Sequence, residues 1–165
     1  MAVNFGNVEV RDPSTRALAM AYRAFRAGSG IQTMAATTET PLLILENPSG
    51  AKIPLTVFLK KLLVITSGHI GLFKLYVNPT GVTGGAAKTP LNLRVNASSP
   101  PSQALAYSLP TVSTNGTILG AWNGSNVDAI LNEVLILDPG NSLLVTVTAQ
   151  AISDQVDAQF DWSES

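Results

Sequence analysis

Cysteine is absent from all 165 residues, and histidine occurs once, at His69. A disulfide framework, a thiol nucleophile and a cysteine-ligated metal are therefore excluded, as is any multi-histidine metal site. Charge is scarce too: 13% of the residues are Asp, Glu, Lys or Arg, about half the share usual in globular domains. Bases stop at Arg94. Residues 1–94 hold all ten Lys and Arg with four acids, a net of +6, whereas residues 95–165 hold seven acids and no base, a net of −7. Such polarity can pair strands within one fold or copies with one another, or it can mark solvated faces that differ in sign. No apolar run nears the roughly 18 residues of a membrane span. The N-terminus lacks a basic stretch followed by an apolar one, so no secretory signal is expected and a cytosolic origin fits.

Small polar residues take the place of charge: 15 Thr, 14 Ser and 11 Asn, beside 13 Gly and 10 Pro. Apolar residues still make up 45%, enough to drive collapse at a net charge of −1. This mixture suits short strands joined by many turns and disfavours a helical bundle.

Residues 1–40 differ from the rest. Asp12-Pro13 offers an N-cap with proline at the first helical position. Alanines at 17, 19, 21, 24 and 27 favour helix, and Gly28 is a natural stop. The sequence thus predicts a short helix over residues 13–27. Leu18, Tyr22 and Phe25 fall on one stripe at i, i+4 and i+7, while Arg16 and Arg23 share another side with Arg26 one turn on. Either the helix caps its own domain, or it is an arm that docks on another subunit. Residues 29–40, rich in Ser, Thr, Gly and Ala, could span about 40 Å when extended and read as a tether. The expected division is an arm over 1–40 and a domain over 41–165.

From residue 41 the chain alternates short apolar or period-two runs with turn residues. Strands are expected near residues 42–45, 55–65, 70–77, 91–95, 117–122, 130–137, 143–149 and 156–162. Asn115-Gly116 and Asn123-Gly124 are hairpin-type dipeptides, and Asp138-Pro139-Gly140-Asn141 is a turn. About eight strands with turns every 8–12 residues predict an all-β, jelly-roll-like antiparallel β-sandwich.

Residue patterns that could carry chemistry are few. His69, in Ser67-Gly68-His69-Ile70-Gly71, reads as a turn histidine, with no nucleophile-elbow sequence to make a relay. Asp154, Asp157 and Asp161 read as the wet side of an edge strand rather than a calcium site or a carboxylate pair. Gly81-Val82-Thr83-Gly84-Gly85 lacks the lysine of a phosphate loop. The Asn-x-Ser/Thr triplets at Asn96, Asn115 and Asn123 read as turns. Trp122, Phe160 and Trp162 are expected in the core or in a self-association surface. No catalytic residue, cofactor or metal is expected, nor a nucleic-acid or membrane partner.

Two passages carry a resemblance. Ile136-Leu137-Asp138-Pro139-Gly140-Asn141-Ser142-Leu143-Leu144-Val145 and the ending Phe160-Asp161-Trp162-Ser163-Glu164 resemble the small jelly-roll virion proteins of tailed bacteriophages. In that group a proline-glycine turn precedes the penultimate strand, and the last strand ends in aromatic-x-Glu. The resemblance implies a capsid decoration (cement) protein, made in the host cytoplasm and located on the capsid surface. Such proteins form oligomers, commonly trimers, over junctions of the major capsid protein. It also implies arm anchors at Leu18, Tyr22 and Phe25, with Arg16, Arg23 and Arg26 facing acidic capsid loops. A second reading is a fibre-tip or baseplate module that binds host glycans through residues 78–88 and 96–103, with Trp122.

Overall fold

The computed structural model describes residues 24–93, 101–128 and 135–164, and all the regular structure among them is β. The strands are β1 (Ala24–Gly28), β2 (Gln32–Thr33), β3 (Thr40–Glu46), β4 (Leu55–Val64), β5 (Gly71–Val77), β6 (Ala86–Lys88), β7 (Leu91–Asn92), β8 (Leu105–Ser108), β9 (Thr117–Gly124), β10 (Asn126–Asp128), β11 (Leu135–Leu137), β12 (Ser142–Ala149) and β13 (Gln155–Glu164). One sheet runs β10-β4-β13-β1-β7, with β11 also on β4 and β2 also on β13; the other runs β6-β8-β3-β12-β5-β9. Every ladder between these strands is antiparallel.

The pairing is nested. Strand β1 meets β13, β3 meets β12, β4 meets β10 and β11, and β5 meets β9. Contacts of β4 with β13 and of β5 with β12 then wrap this long hairpin into two sheets. Alternation along the strands supplies the core between them. Leu143, Val145 and Val147 of β12 face Phe73 and Leu75 of β5 on one side. On the other, Val156, Ala158, Phe160 and Trp162 of β13 are all at most 1% exposed. Side chains of period two can fill a layer about 10 Å thick from both sheets.

A helix expected to run to residue 27 is corrected by β1. Residues 24–28 are extended and pair with residues 159–163 of β13; residues 13–23 lie outside the described residues. The reason is the pattern at the end of that segment. Phe25 and Ala27 alternate with Arg26, so a strand puts both apolar groups in the core, at 2% and 4% exposure. A lone helix of this length is marginal in water, so burial and a full ladder outweigh its alanine-rich propensity. Residues 29–40 likewise bond into the sandwich. Ser29 N–H donates to Ala158 O at 2.8 Å, Met34 N–H to Asp154 O at 2.8 Å, and Met34 is buried.

The outer face of the second sheet carries a further layer. Ile44, Leu144 and Tyr76 point away from the main core and are covered by Val82, Tyr107 and Val112. Thr80 bridges Thr114 and Thr83 bridges Thr111, which zips residues 80–83 to residues 111–114 across this face. At one end of the sandwich the two resemblance passages are tied together. Buried Asn47 donates from Nδ2 to Leu137 O at 2.8 Å and to Ile53 O at 3.1 Å, and its Oδ1 accepts from Gln103. Glu164 accepts from Ser102 Oγ and from Gln103 N–H, and Trp162 Nε1 donates to Ser102 Oγ at 3.2 Å.

Candidate interaction surface

Of the residues expected to act on partners, two in the arm are placed. Phe25 stacks on Trp162, with ring centroids 6.0 Å apart and planes 24° apart. Arg26, beside it on the outer face, makes a fork to Asp161: Nε to Oδ1 and Nη2 to Oδ2, both at 2.8 Å. The hydrogen bond to Asp161 raises the Arg26 pKa further above its high ordinary value. Both side chains are therefore committed within the chain. Arg16, Leu18, Tyr22 and Arg23 lie outside the described residues. Phe160 and Trp162 are core residues. Trp122 is half-buried against the core edge, with its indole lying along Gly120, where an added Cβ would come within 2.7 Å of the ring.

The aspartates are not the wet side of an edge strand, because β13 sits inside its sheet between β4 and β1. Asp161 and Asp154 are each 1% exposed. Asp161 is held by Arg26. Asp154 lies 2.5 Å from His69 Nδ1, and its other oxygen accepts from Ala151 N–H at 2.8 Å. Burial opposes its ionisation, but the Ala151 bond and His69 outweigh that and keep the carboxyl below its ordinary range. Residues 69 and 154 are far apart in sequence, so no local spacing could reveal this pair.

Further bonds cross-link the connections at the same end of the sandwich. Ile70 N–H donates to Gln150 Oε1 at 3.0 Å, Gln155 N–H to Thr66 Oγ1 at 2.9 Å, and Ser153 N–H to Met34 O at 2.8 Å. On the tips of these tied connections stand four isoleucines, Ile31, Ile65, Ile70 and Ile152, exposed by 63%, 37%, 47% and 65%. Single exposed apolar residues are ordinary on any surface. Four on the cross-linked connections of one end give that end an apolar character, which binding partners can cover.

Glu39 is the other concentration of polar contacts. Its carboxylate accepts from Tyr76 Oη at 2.7 Å, Thr146 Oγ1 at 2.7 Å, Asn115 Nδ2 at 3.1 Å and Lys74 Nζ at 2.7 Å. Burial pushes its pKa up, and the bonds from Lys74, Thr146 and Tyr76 more than offset this, so it lies below the usual value. This residue looked like one acid in a polar tether, yet it fastens that segment to β5, β12 and the turn before β9. A groove of about 390 Å³ nearby, lined by Thr33, Met34, Pro41, Leu109 and Pro110 among others, has no ionisable side chain in its wall. Among the described residues no cluster of three or more His, Asp or Glu is arranged to hold a metal. Of the loops expected to bind glycans, residues 80–83 are fastened over the second sheet, and residues 94–100 lie outside the described residues.

Glu39 and Asp154 titrate in one direction. A carboxyl whose folded pKa is depressed stabilises the fold above its unfolded value, and loses that contribution as pH falls through the folded value. Glu39→Gln should therefore lower the thermal midpoint near neutrality and flatten its decline below about pH 4. Melting curves across that range check this; an acid limb as steep as the parent's would show that Glu39 contributes nothing to it.

No protein-family model, no curated protein and no solved structure matches this chain.

Proposed function

We propose that this chain is a non-enzymatic virion structural protein of the capsid decoration type. In this reading it is a self-associating jelly roll that binds a shell of major capsid protein and strengthens it. The nested pairing of β1 with β13, β3 with β12, β4 with β10 and β11, and β5 with β9 supports the jelly-roll reading, because that fold is a long hairpin wrapped into two sheets. The observation that carries the functional reading is the cross-linked apolar end bearing Ile31, Ile65, Ile70 and Ile152. A rigid apolar surface loses little conformational entropy when covered. The ionisable groups Arg26–Asp161, His69–Asp154 and Lys74–Glu39 are bound to one another in structural pairs, which favours a scaffold over a reaction centre.

The mechanism is linkage. A protein that binds the assembled shell and not its free subunits stabilises the shell by an amount that grows with its free concentration relative to its dissociation constant, and repetition over many sites makes modest contacts sufficient. Residues 1–23, with Arg16, Leu18, Tyr22 and Arg23, remain the segment proposed to reach the capsid. Phe25 and Arg26 leave that role because they serve the sheet.

Cosedimentation with shells of the major capsid protein from the same genome tests this. The full chain should pellet at fixed stoichiometry and raise the temperature at which shells come apart. Removal of residues 1–23 should weaken binding by at least about tenfold, the equivalent of about 1.4 kcal/mol. Undiminished binding by the truncated chain would remove the arm from the mechanism. A full chain that stays in the supernatant would remove the capsid reading, and retention on a host glycan array would put the host-recognition reading in its place.

A further inference from the structure

The edges of the two sheets are guarded unequally. Among the described residues, β6 is three residues long, ends in Lys88 and is followed by Thr89-Pro90; β7 is two residues long and follows that proline. On the far side, β10 and β11 are three residues each, with Asp138-Pro139 directly after β11. Short length, charge and proline are the devices that stop an edge from recruiting another strand. Strand β9 has none of these three, and its one bulge, at Leu119, lies near its start. It is eight residues long, closes the six-stranded sheet, and reads Thr-Ile-Leu-Gly-Ala-Trp-Asn-Gly.

In an antiparallel edge strand half of the N–H and C=O groups point away from the sheet. Among the described residues no hydrogen bond joins the outer side of β9 to another segment. The register against β5 skips Leu119, which pairs with nothing while Ile118 meets Tyr76 and Gly120 meets Leu75. Beyond this bulge residues 120–124 pair with β5 in unbroken register, with Ile118 and Leu119 beside them at 51% and 49% exposure.

We propose that β9 pairs antiparallel with β9 of a second copy about a two-fold axis, joining two six-stranded sheets into one. The charge pattern selects this occupant. In a two-fold contact each residue meets the same short segment of its twin, so any charged residue in it would face its own sign. Strand β9 has no charged residue. The nearest cation on the adjoining strand, Lys74 opposite Ala121, is already neutralised by Glu39 at 2.7 Å. Ladder bonds satisfy the outward backbone groups, and Ile118 and Leu119 of each copy flank the contact at opposite ends. The contact concerns the free chain in solution and does not rest on capsid binding. It yields a dimer, in contrast to the trimer common among the proteins this chain resembles.

The test is the solution mass of the full chain by sedimentation, with Ala121→Lys as the probe. Ala121 is exposed and faces away from the main core, so the variant should melt as the parent does. The parent is expected at twice 17.3 kDa near 100 µM, and the variant at the monomer mass, its dissociation constant raised by at least about tenfold. Should Ala121→Lys misfold, Ile118→Lys places the same charge on the same edge. A monomeric parent, or a dimer or trimer whose mass survives the lysine, overturns the proposal.

Discussion

Deleting residues 1–40 is expected to abolish the folded domain, whereas deleting residues 1–23 leaves every described strand in place. The longer deletion removes β1, which stands between β13 and β7, together with buried Met34 and the Glu39 carboxylate. It uncovers the flank of β13, the longest strand together with β4. The point variant Phe25→Ala isolates one part of that effect. Its ring is 2% exposed and stacked on Trp162, and truncating such a ring costs about 3–5 kcal/mol. Whole domains are stable by only about 5–15 kcal/mol, so the loss is a large share. For a chain of this size it corresponds to a fall of roughly 10 °C in the thermal midpoint. Circular dichroism melts decide the matter: a Phe25→Ala midpoint within a degree or so of the parent would mean that residue 25 sits on an exposed arm after all.

Gly116→Ala should be nearly as damaging, for a backbone reason. The residue has φ of +88°, and a Cβ there would lie 2.2 Å from Val77 O and 2.7 Å from Asn78 O. A non-glycine residue at such φ costs about 1–3 kcal/mol, and forcing atoms into occupied space costs a similar amount again. Main-chain oxygens of the neighbouring segment cannot rotate aside as a side chain could. Asn115, the preceding residue, donates to Glu39, and Thr117, the next, opens the β5–β9 ladder at Val77. The expected outcome is a drop of at least about 3 kcal/mol in unfolding free energy, with amide protection lost first along β9. Denaturant titration with hydrogen exchange reads both; protection that disappears evenly over all strands would argue against a local origin.

How far the chain could be read in advance depended on what each residue needed as a partner. Period-two runs with turns between them marked most of the long strands near their true places, because alternation answers to one buried face and needs no knowledge of what lies opposite. The turns at Asn115-Gly116 and Asp138–Asn141 were equally legible, since positive φ selects Gly and Asn, and Gly116 and Gly140 both have it; Asn123-Gly124, expected as a turn, instead ends β9. Strand β8, by contrast, is only Leu-Ala-Tyr-Ser, too short to show a period, and exists because β3 offers it a ladder. Strand β1 was hidden beneath alanines that favour helix in isolation.

The surfaces were harder still. Glu39 gave no sign of its four donors, which arrive from residues 74, 76, 115 and 146. His69 and Asp154, in turns far apart in sequence, likewise meet only once the sandwich closes.

By itself, then, the sequence determined the class: all-β, antiparallel, free of cysteine chemistry, with turns where glycine, asparagine and proline demand them. These are local consequences of side-chain period and backbone freedom. Tertiary structure alone decided that Phe25 and Arg26 belong to a sheet, that Arg26 meets Asp161, His69 meets Asp154 and Lys74 meets Glu39, and that uncharged β9 closes the six-stranded sheet among the described residues. Each of those outcomes depends on which distant segment arrives alongside. Burial and ladder pairing act between such segments, and they outweigh the local propensities that the sequence displays.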